Sequence, residues 1–110
     1  AITIATHFAK TYHVFLVLKG HTTIVTDGNH VYKCTCGSPG MATSGSGDVL
    51  SGILAGMLGY FDCNLLTISA GVLVNGIAGE AAAYDKTDIS MIASDTISHI
   101  PDAIKRIRGE

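Results

Sequence analysis

The sequence predicts an α/β fold in which helices cover the faces of a largely parallel sheet, and three stretches carry that prediction. "VFLVL", Val14 to Leu18, is an unbroken run of β-branched, leucine and aromatic residues, the pattern of a strand covered on both faces. "TTIVT" and "HVYKC", Thr22 to Thr26 and His30 to Cys34, flank Asp27-Gly28-Asn29, whose glycine can take the positive φ of a tight hairpin. From Asp48 onward the apolar residues recur at helical spacing.

Taken in order, Ala1 to Thr11 places Ile4, Phe8 and Thr11 at i, i+4 and i+7 with Ile2, Ala5 and Ala9 beside them, which predicts a short amphipathic helix feeding the Val14 to Leu18 strand. The hairpin mixes polar and apolar residues and is expected at a half-exposed sheet edge. Cys36 to Gly47, "CGSPGMATSGSG", has no apolar period and is punctuated by Gly37, Pro39, Gly40, Gly45 and Gly47 as a loop. Asp48 opens a helix, "DVLSGILAGMLGYF", with Val49, Ile53 and Gly56 on one stripe and Leu50, Leu54 and Met57 on the next. Its strip of Gly52, Ala55, Gly56 and Gly59 predicts close approach to a neighbour, at a propensity cost of roughly 1 kcal/mol per glycine.

Asn64 caps a second helix, "LLTISAGVLVNGIAGEAAAYD", small and apolar nearly all round and so expected to be buried. A polar loop from Asp85 to Ser90 follows. Ser94 and Asp95 start a last helix whose Ile97, Ile100, Ile104 and Ile107 form one stripe; Pro101 bends or restarts it, and Lys105, Arg106 and Arg108 suit its C-terminal end.

A length of 110 residues allows one domain. Only 15% of residues are charged, below the roughly 25% of average domains, so long disorder is excluded. The net charge of −2, with no basic cluster, argues against nucleic-acid binding. Gly, Asp and Asn interrupt the apolar stretches before about 20 residues, and no signal-peptide layout opens the chain, so a soluble cytoplasmic protein without a membrane partner is expected. Cys34, Cys36 and Cys63 are an odd number without an export signal, which argues against a disulfide framework. Cys34-x-Cys36 is too close for the usual structural zinc pair, and the five histidines show no H-x-x-x-H spacing. No protein-built metal site is therefore expected.

Gly45-Ser46-Gly47-Asp48 is the stretch that points to chemistry. It lies where a loop becomes a helix, so unpaired backbone N–H groups converge at the positive end of a helix dipole, and the glycines let a phosphate approach the main chain. Gly45, Ser46 and Gly47 are the expected anion hole. Asp48 has two readings: a carboxylate capping the first helical turn, or a general base taking the proton of a hydroxyl that attacks phosphorus. Lys19, at the C-terminal end of the buried strand, is a point charge where ligands bind open α/β sheets.

"PGMATSGSGDVLSGILAGML", Pro39 to Leu58, resembles the signature of the NAD(P)H-hydrate dehydratases, a branch of the ribokinase-like superfamily. "VLKGHTTIVTDG", "VNGIAGEAA" and "IASDTISHIPDAIKRI" are similar to the family's preceding strand and its last two helices, in the same order. The resemblance implies a ribokinase-like domain, a three-layer sheet with helices on its faces. This chain would supply its C-terminal part, residues 1–110: one buried strand, an edge hairpin, then helices. That view also accounts for a chain opening on Ala1 without a preceding element.

The resemblance further implies ADP-dependent dehydration of hydrated NADH or NADPH, a lyase reaction of metabolite repair. Carried over by position, Lys19, Gly20, His21, Thr22 and Thr23 match the nucleotide-binding turn, Gly47 a glycine contacting the nucleotide, and Asp48 the catalytic aspartate at the hydrated substrate. The absence of the eukaryotic "R-R-C-x-G-Q-G-D" pattern favours the branch using ADP rather than ATP, with a magnesium ion carried by the phosphates. Two departures stand out: Ser38 where the family shows Asn, and Asn75 where it commonly shows His.

The expected partners are hydrated NAD(P)H, ADP, further copies of the chain in a homo-oligomer, and the N-terminal part of the same protein. Two other readings stay open. One is a ribokinase-like kinase of a sugar or vitamin precursor, stopping at a stable phosphorylated product. The other is a non-catalytic chain that needs a partner polypeptide.

Overall fold

The computed structural model describes residues 2–110. Helix α1, Ile2–Tyr12, leads into strands β1, Leu16–Leu18, β2, Thr23–Thr26, and β3, Val31–Cys34. A single 3-10 turn, Pro39–Met41, precedes helices α2, Ser46–Tyr60, α3, Leu65–Lys86, α4, Ala93–Ser98, and α5, Ile100–Ile107.

The three strands form one antiparallel sheet in the order β1-β2-β3, with Val17 opposite Val25 and Val25 opposite Tyr32. The hairpin forms about Asp27 and Gly28 as expected. The Asp27 Oδ1 accepts the N–H groups of Asn29 and His30, each at 2.8 Å, and the Thr26 hydroxyl donates to the His30 carbonyl at 2.7 Å. Gly28, at φ +97°, touches α1: a Cβ there would stand 2.7 Å from the Lys10 Cα.

Three expectations are corrected. Val14 to Leu18 is not the buried centre of a parallel sheet among the described residues. Only its last three residues form β1, an antiparallel edge, and Val14, Phe15 and Leu18 are exposed. β2 is its one neighbouring strand here, so the apolar pattern outruns the cover. On α1 the buried face is Ala5 and Ala9, not Ile4 and Phe8; Ile4 is 76% exposed. Small side chains are what the close approach of α1 to the hairpin admits. Among the described residues the glycine strip of α2 lies against nothing: Cβ atoms on Gly52, Gly56 and Gly59 would meet open space. The close helix contact comes instead from α3, where a Cβ on Gly71 would stand 2.8 Å from the Leu54 Cδ2.

α3 is the central element, packing on α2, α4, α5 and β2. Its Leu65, Ile68 and Val72 join Val25 and Leu50 in one core; its Val74 and Ala78 join Ala103 of α5 in another. Asn64 caps it as expected, its Oδ1 accepting the Thr67 N–H at 2.9 Å. Contrary to the expectation of interrupted apolar stretches, α3 is long and apolar enough to cross a bilayer by length and composition. Its most apolar window is 61% buried inside the fold, which is how a core helix behaves. Pro101 restarts the chain as α5 directly after α4, and Asp95 reaches back to accept the Ile92 N–H at 2.8 Å.

Candidate functional site

The loop between β3 and α2 is held at both ends. Ser38, in place of the family's Asn, uses its Oγ to accept the Gly40 N–H at 3.2 Å and so starts the 3-10 turn; Glu80 of α3 accepts the Gly37 N–H at 3.0 Å. A Cβ on Gly40 would run into the Asp88 backbone, which fixes the turn against the α3–α4 connection.

Gly45 then takes the left-handed conformation, φ +87°, as the N-cap of α2, with no side chain capping the helix. Its carbonyl accepts the Val49 N–H at 3.0 Å, while the Ser46 N–H donates to the Thr43 carbonyl at 3.2 Å. The N–H groups of Gly47 and Asp48 have no acceptor among the described residues. The backbone N–H groups without an acceptor at this helix end are therefore those of Gly47 and Asp48, because the turn consumes the Ser46 N–H.

Two cavities meet at this helix end. One, of about 220 Å³, has Lys19, Gly20, His21 and Thr23 on the sheet side and Ser46 and Asn75 on the helix side. The other, of about 570 Å³, has Gly45 and Asp48 at its polar end and walls of Ile53, Val74, Ile97 and Ile100. The first cleft is where the point charge of Lys19 faces the α2 dipole. A Cβ on Gly47 would stand 4.0 Å from the Lys19 Nζ, so the ammonium lies beside the start of α2. Asp48 lies on the other side of the same helix end and is exposed.

The structure thus brings together Lys19, Gly20, His21, Thr23 and Ser46 around one cleft, leaves Gly47 near the Lys19 Nζ but outside the lining, and sets Asp48 with Gly45 at the mouth of the other. Thr22 lines neither, although its carbonyl backs the bend at Gly20. Sequence reasoning noted Asn75 only as a departure from the family pattern and did not place it here. It is only 8% exposed, lines the cleft, and its Oδ1 is buried without a hydrogen-bond partner. A polar residue inside an apolar helical run was the available signal. Cys34 and Cys36 also line the cleft; burial first, and the neighbouring Cys34 thiol second, push the Cys36 thiol above its ordinary value.

No three potential metal ligands cluster among the described residues, so a magnesium ion would enter on a nucleotide's phosphates. The donors present, two backbone N–H groups and an ammonium, suit those phosphates.

Compared with known proteins, residues 1–102 match the sequence profile of the NAD(P)H-hydrate dehydratases. The chain belongs to that family. Within it, the chain is 37% identical over 109 residues to the bifunctional NAD(P)H-hydrate repair enzyme Nnr of Moorella thermoacetica, covering 97% of this chain and 20% of that protein. It is 36% identical over 97 residues to the ADP-dependent (S)-NAD(P)H-hydrate dehydratase of Cenarchaeum symbiosum, covering 88% and 33%. The chain therefore spans between a fifth and a third of the length of these relatives.

Among solved structures, the ADP/ATP-dependent NAD(P)H-hydrate dehydratase from Bacillus subtilis, co-crystallised with ATP and Mg2+, superposes with a TM-score of 0.87 at 23% identity, over 94% of this chain and 38% of that one. The fold is ribokinase-like, and this family member presents part of it. The antiparallel sheet and following helices of the chain are the corresponding part of that domain.

Proposed function

We propose that the complete protein dehydrates hydrated NADH or NADPH with ADP, and that this chain supplies its phosphate-binding helix end and its general base. The observation that carries the reading is the position of α2 between two cavities, with Lys19 lining one, Asp48 lining the other, and the Gly47 and Asp48 N–H groups without acceptors at the start of the helix. Family membership and the names of the relatives support the substrate; the ADP-dependent relative supports the nucleotide.

In this mechanism the terminal phosphate of ADP lies at the α2 N-terminus, its oxygens accepting hydrogen bonds from the Gly47 and Asp48 N–H groups and from the Lys19 ammonium. The apolar walls of the larger cavity receive the nicotinamide ring. Asp48 accepts the proton of the ring hydroxyl as that oxygen attacks the terminal phosphorus, and AMP leaves. The ring nitrogen's lone pair then expels phosphate, a far better leaving group than hydroxide, and the neighbouring ring carbon gives up a proton to solvent as the ring double bond returns. The same reading takes the protein as cytoplasmic and homo-oligomeric, with an N-terminal part of the domain completing the sheet beside β1.

The test is to incubate the complete protein with hydrated NADH and ADP. Dihydronicotinamide absorbance should return with release of an equal amount of inorganic phosphate. Phosphate without the chromophore, or accumulation of a phosphorylated sugar, would replace the dehydratase by a kinase.

A further inference from the structure

We propose that Glu80 is a positioning residue for the N-terminal end of α2, acting from α3 through the loop that delivers that helix. Gly76, Gly79 and Glu80 stand at i, i+3 and i+4 and so share one face of α3. The loop rests on that face. A Cβ on Gly76 would stand 2.7 Å from the Cys36 Cβ, and one on Gly79 would run into the Met41 side chain, so the two bare positions are what let the loop come so close. Beside them the Glu80 Oε1 accepts the Gly37 N–H at 3.0 Å, from 43 positions away in the chain. Among the described residues it is the only hydrogen bond that joins the stretch from Cys36 to Thr43 to a helix.

From Gly37 to α2 the chain is a run of short turns. The Ser38 carbonyl accepts the Met41 N–H at 2.9 Å, the Met41 carbonyl the Thr43 N–H at 2.8 Å, and the Thr43 carbonyl the Ser46 N–H at 3.2 Å. Every link is local, so none of them sets where the run lies against α3. The glycine contacts limit how near the loop comes but, being non-directional, do not orient it. A charge-assisted hydrogen bond does both. Gly37 receives it at φ +134°, a conformation that side chains rarely adopt. Ser46 is the last link, and the unpaired N–H groups of Gly47 and Asp48 follow it directly, so a displaced loop reappears as displaced donors. The sign of the effect separates this role from a direct one. A carboxylate acting by its field would repel an anion at α2, and its removal would tighten binding. A carboxylate acting as an anchor weakens binding when it is lost.

The experiment titrates the complete protein with ADP in a calorimeter, beside Glu80→Ala and Glu80→Gln. Alanine should raise the ADP dissociation constant by at least about tenfold, the low end for losing a hydrogen bond to a charged group. Glutamine keeps an oxygen for the Gly37 N–H and drops the charge, so it should bind ADP at least as tightly as the parent. Hydrogen exchange followed by NMR should show the Gly37 amide slowed in the parent and in the glutamine variant. In the alanine variant the Gly37, Met41, Thr43 and Ser46 amides should exchange faster while those of α3 keep their protection. Undiminished ADP binding by the alanine variant, a glutamine variant as weak as alanine, or a freely exchanging Gly37 amide in the parent overturns the proposal. The last is read on the unsubstituted protein and so does not depend on how the variants fold. The effect on ADP rests on the nucleotide reading given above. If the parent binds no ADP, that reading fails, while the exchange pattern still decides the anchor.

Discussion

Lys19 and Gly47 face each other across the mouth of the polar cleft, the lysine Nζ lying 4.0 Å from the position a Cβ on Gly47 would take. The gap is ordinary van der Waals distance for a protein neighbour. A side chain at position 47 would meet the ammonium there and would crowd the approach of an anion to the lysine and the start of α2.

Gly47→Ala should therefore fold normally, since the added methyl meets no clash and alanine is the better helix former. Nucleotide affinity should fall by at least about tenfold, or 1.4 kcal/mol. Calorimetric titration of the complete protein with ADP, beside a thermal melt, separates the two effects. Unchanged affinity would move the phosphate away from this helix end.

Asp48→Asn should leave ADP binding nearly intact and reduce turnover by at least about 10²-fold, the low end for a general base. Steady-state rates of chromophore recovery measure it. If turnover is unaffected and only the melting temperature drops, Asp48 is a helix cap.

Asn75 carries an amide oxygen with no partner in a nearly buried setting. Leaving such a group unsatisfied costs about 1–3 kcal/mol, so Asn75→Leu, which keeps the branched heavy-atom skeleton, should melt no lower than the parent and should weaken the cleft's hold on ADP. A lower melting point would show that the amide is satisfied within the folded protein.

Asp27 gives a pH dependence. The N–H groups of His30 and then Asn29 hold its carboxyl below the ordinary value of 3.8. A depressed folded pKa means that its contribution is present above the unfolded value and disappears as pH falls through the folded one. Urea unfolding followed from roughly pH 6 down to pH 2 should show stability falling below about pH 4, and Asp27→Asn should flatten that limb. An identical acid limb in the variant would assign the loss to other carboxylates.

The open edge of β1, with Val14, Phe15, Ile4 and Phe8 exposed beside it, predicts that the 110 residues alone associate. Sedimentation would detect this. A monodisperse monomer with one cooperative melting transition would show that these residues close a stable fold by themselves.

What could be read in the sequence was local. The hairpin about Asp27 and Gly28, the Asn64 cap and the helix opening at the Gly45 to Asp48 stretch each depend on residues a few positions apart, and each formed. Val14 to Leu18, the Ile4 and Phe8 face and the α2 glycine strip misled because an apolar pattern records what must be covered and not by which segment. The described residues correspond to 38% of the Bacillus subtilis dehydratase chain, so they supply only part of that cover. The cleft was half legible. Lys19 and Gly47 belong to sequence patterns, whereas Asn75, Cys34 and Cys36 reach it only through the packing of α3 on β2 and β3, which no local spacing encodes.

The notch at Gly71, into which Leu54 fits, also acts as a registration stop. Because no Cβ fills it, α2 can seat at one height along α3, and sliding by even a fraction of a turn would drive Leu54 into the rim. The vertical position of the two unpaired N–H groups at the start of α2 is thereby gauged by a residue on another helix that does not itself line the cleft. A bulkier side chain at position 71 would act like a misplaced shim. It would leave every cleft residue in place in the sequence yet tilt the helix that carries the donors, so that the site was detuned by remote carpentry and not by any change in its chemistry.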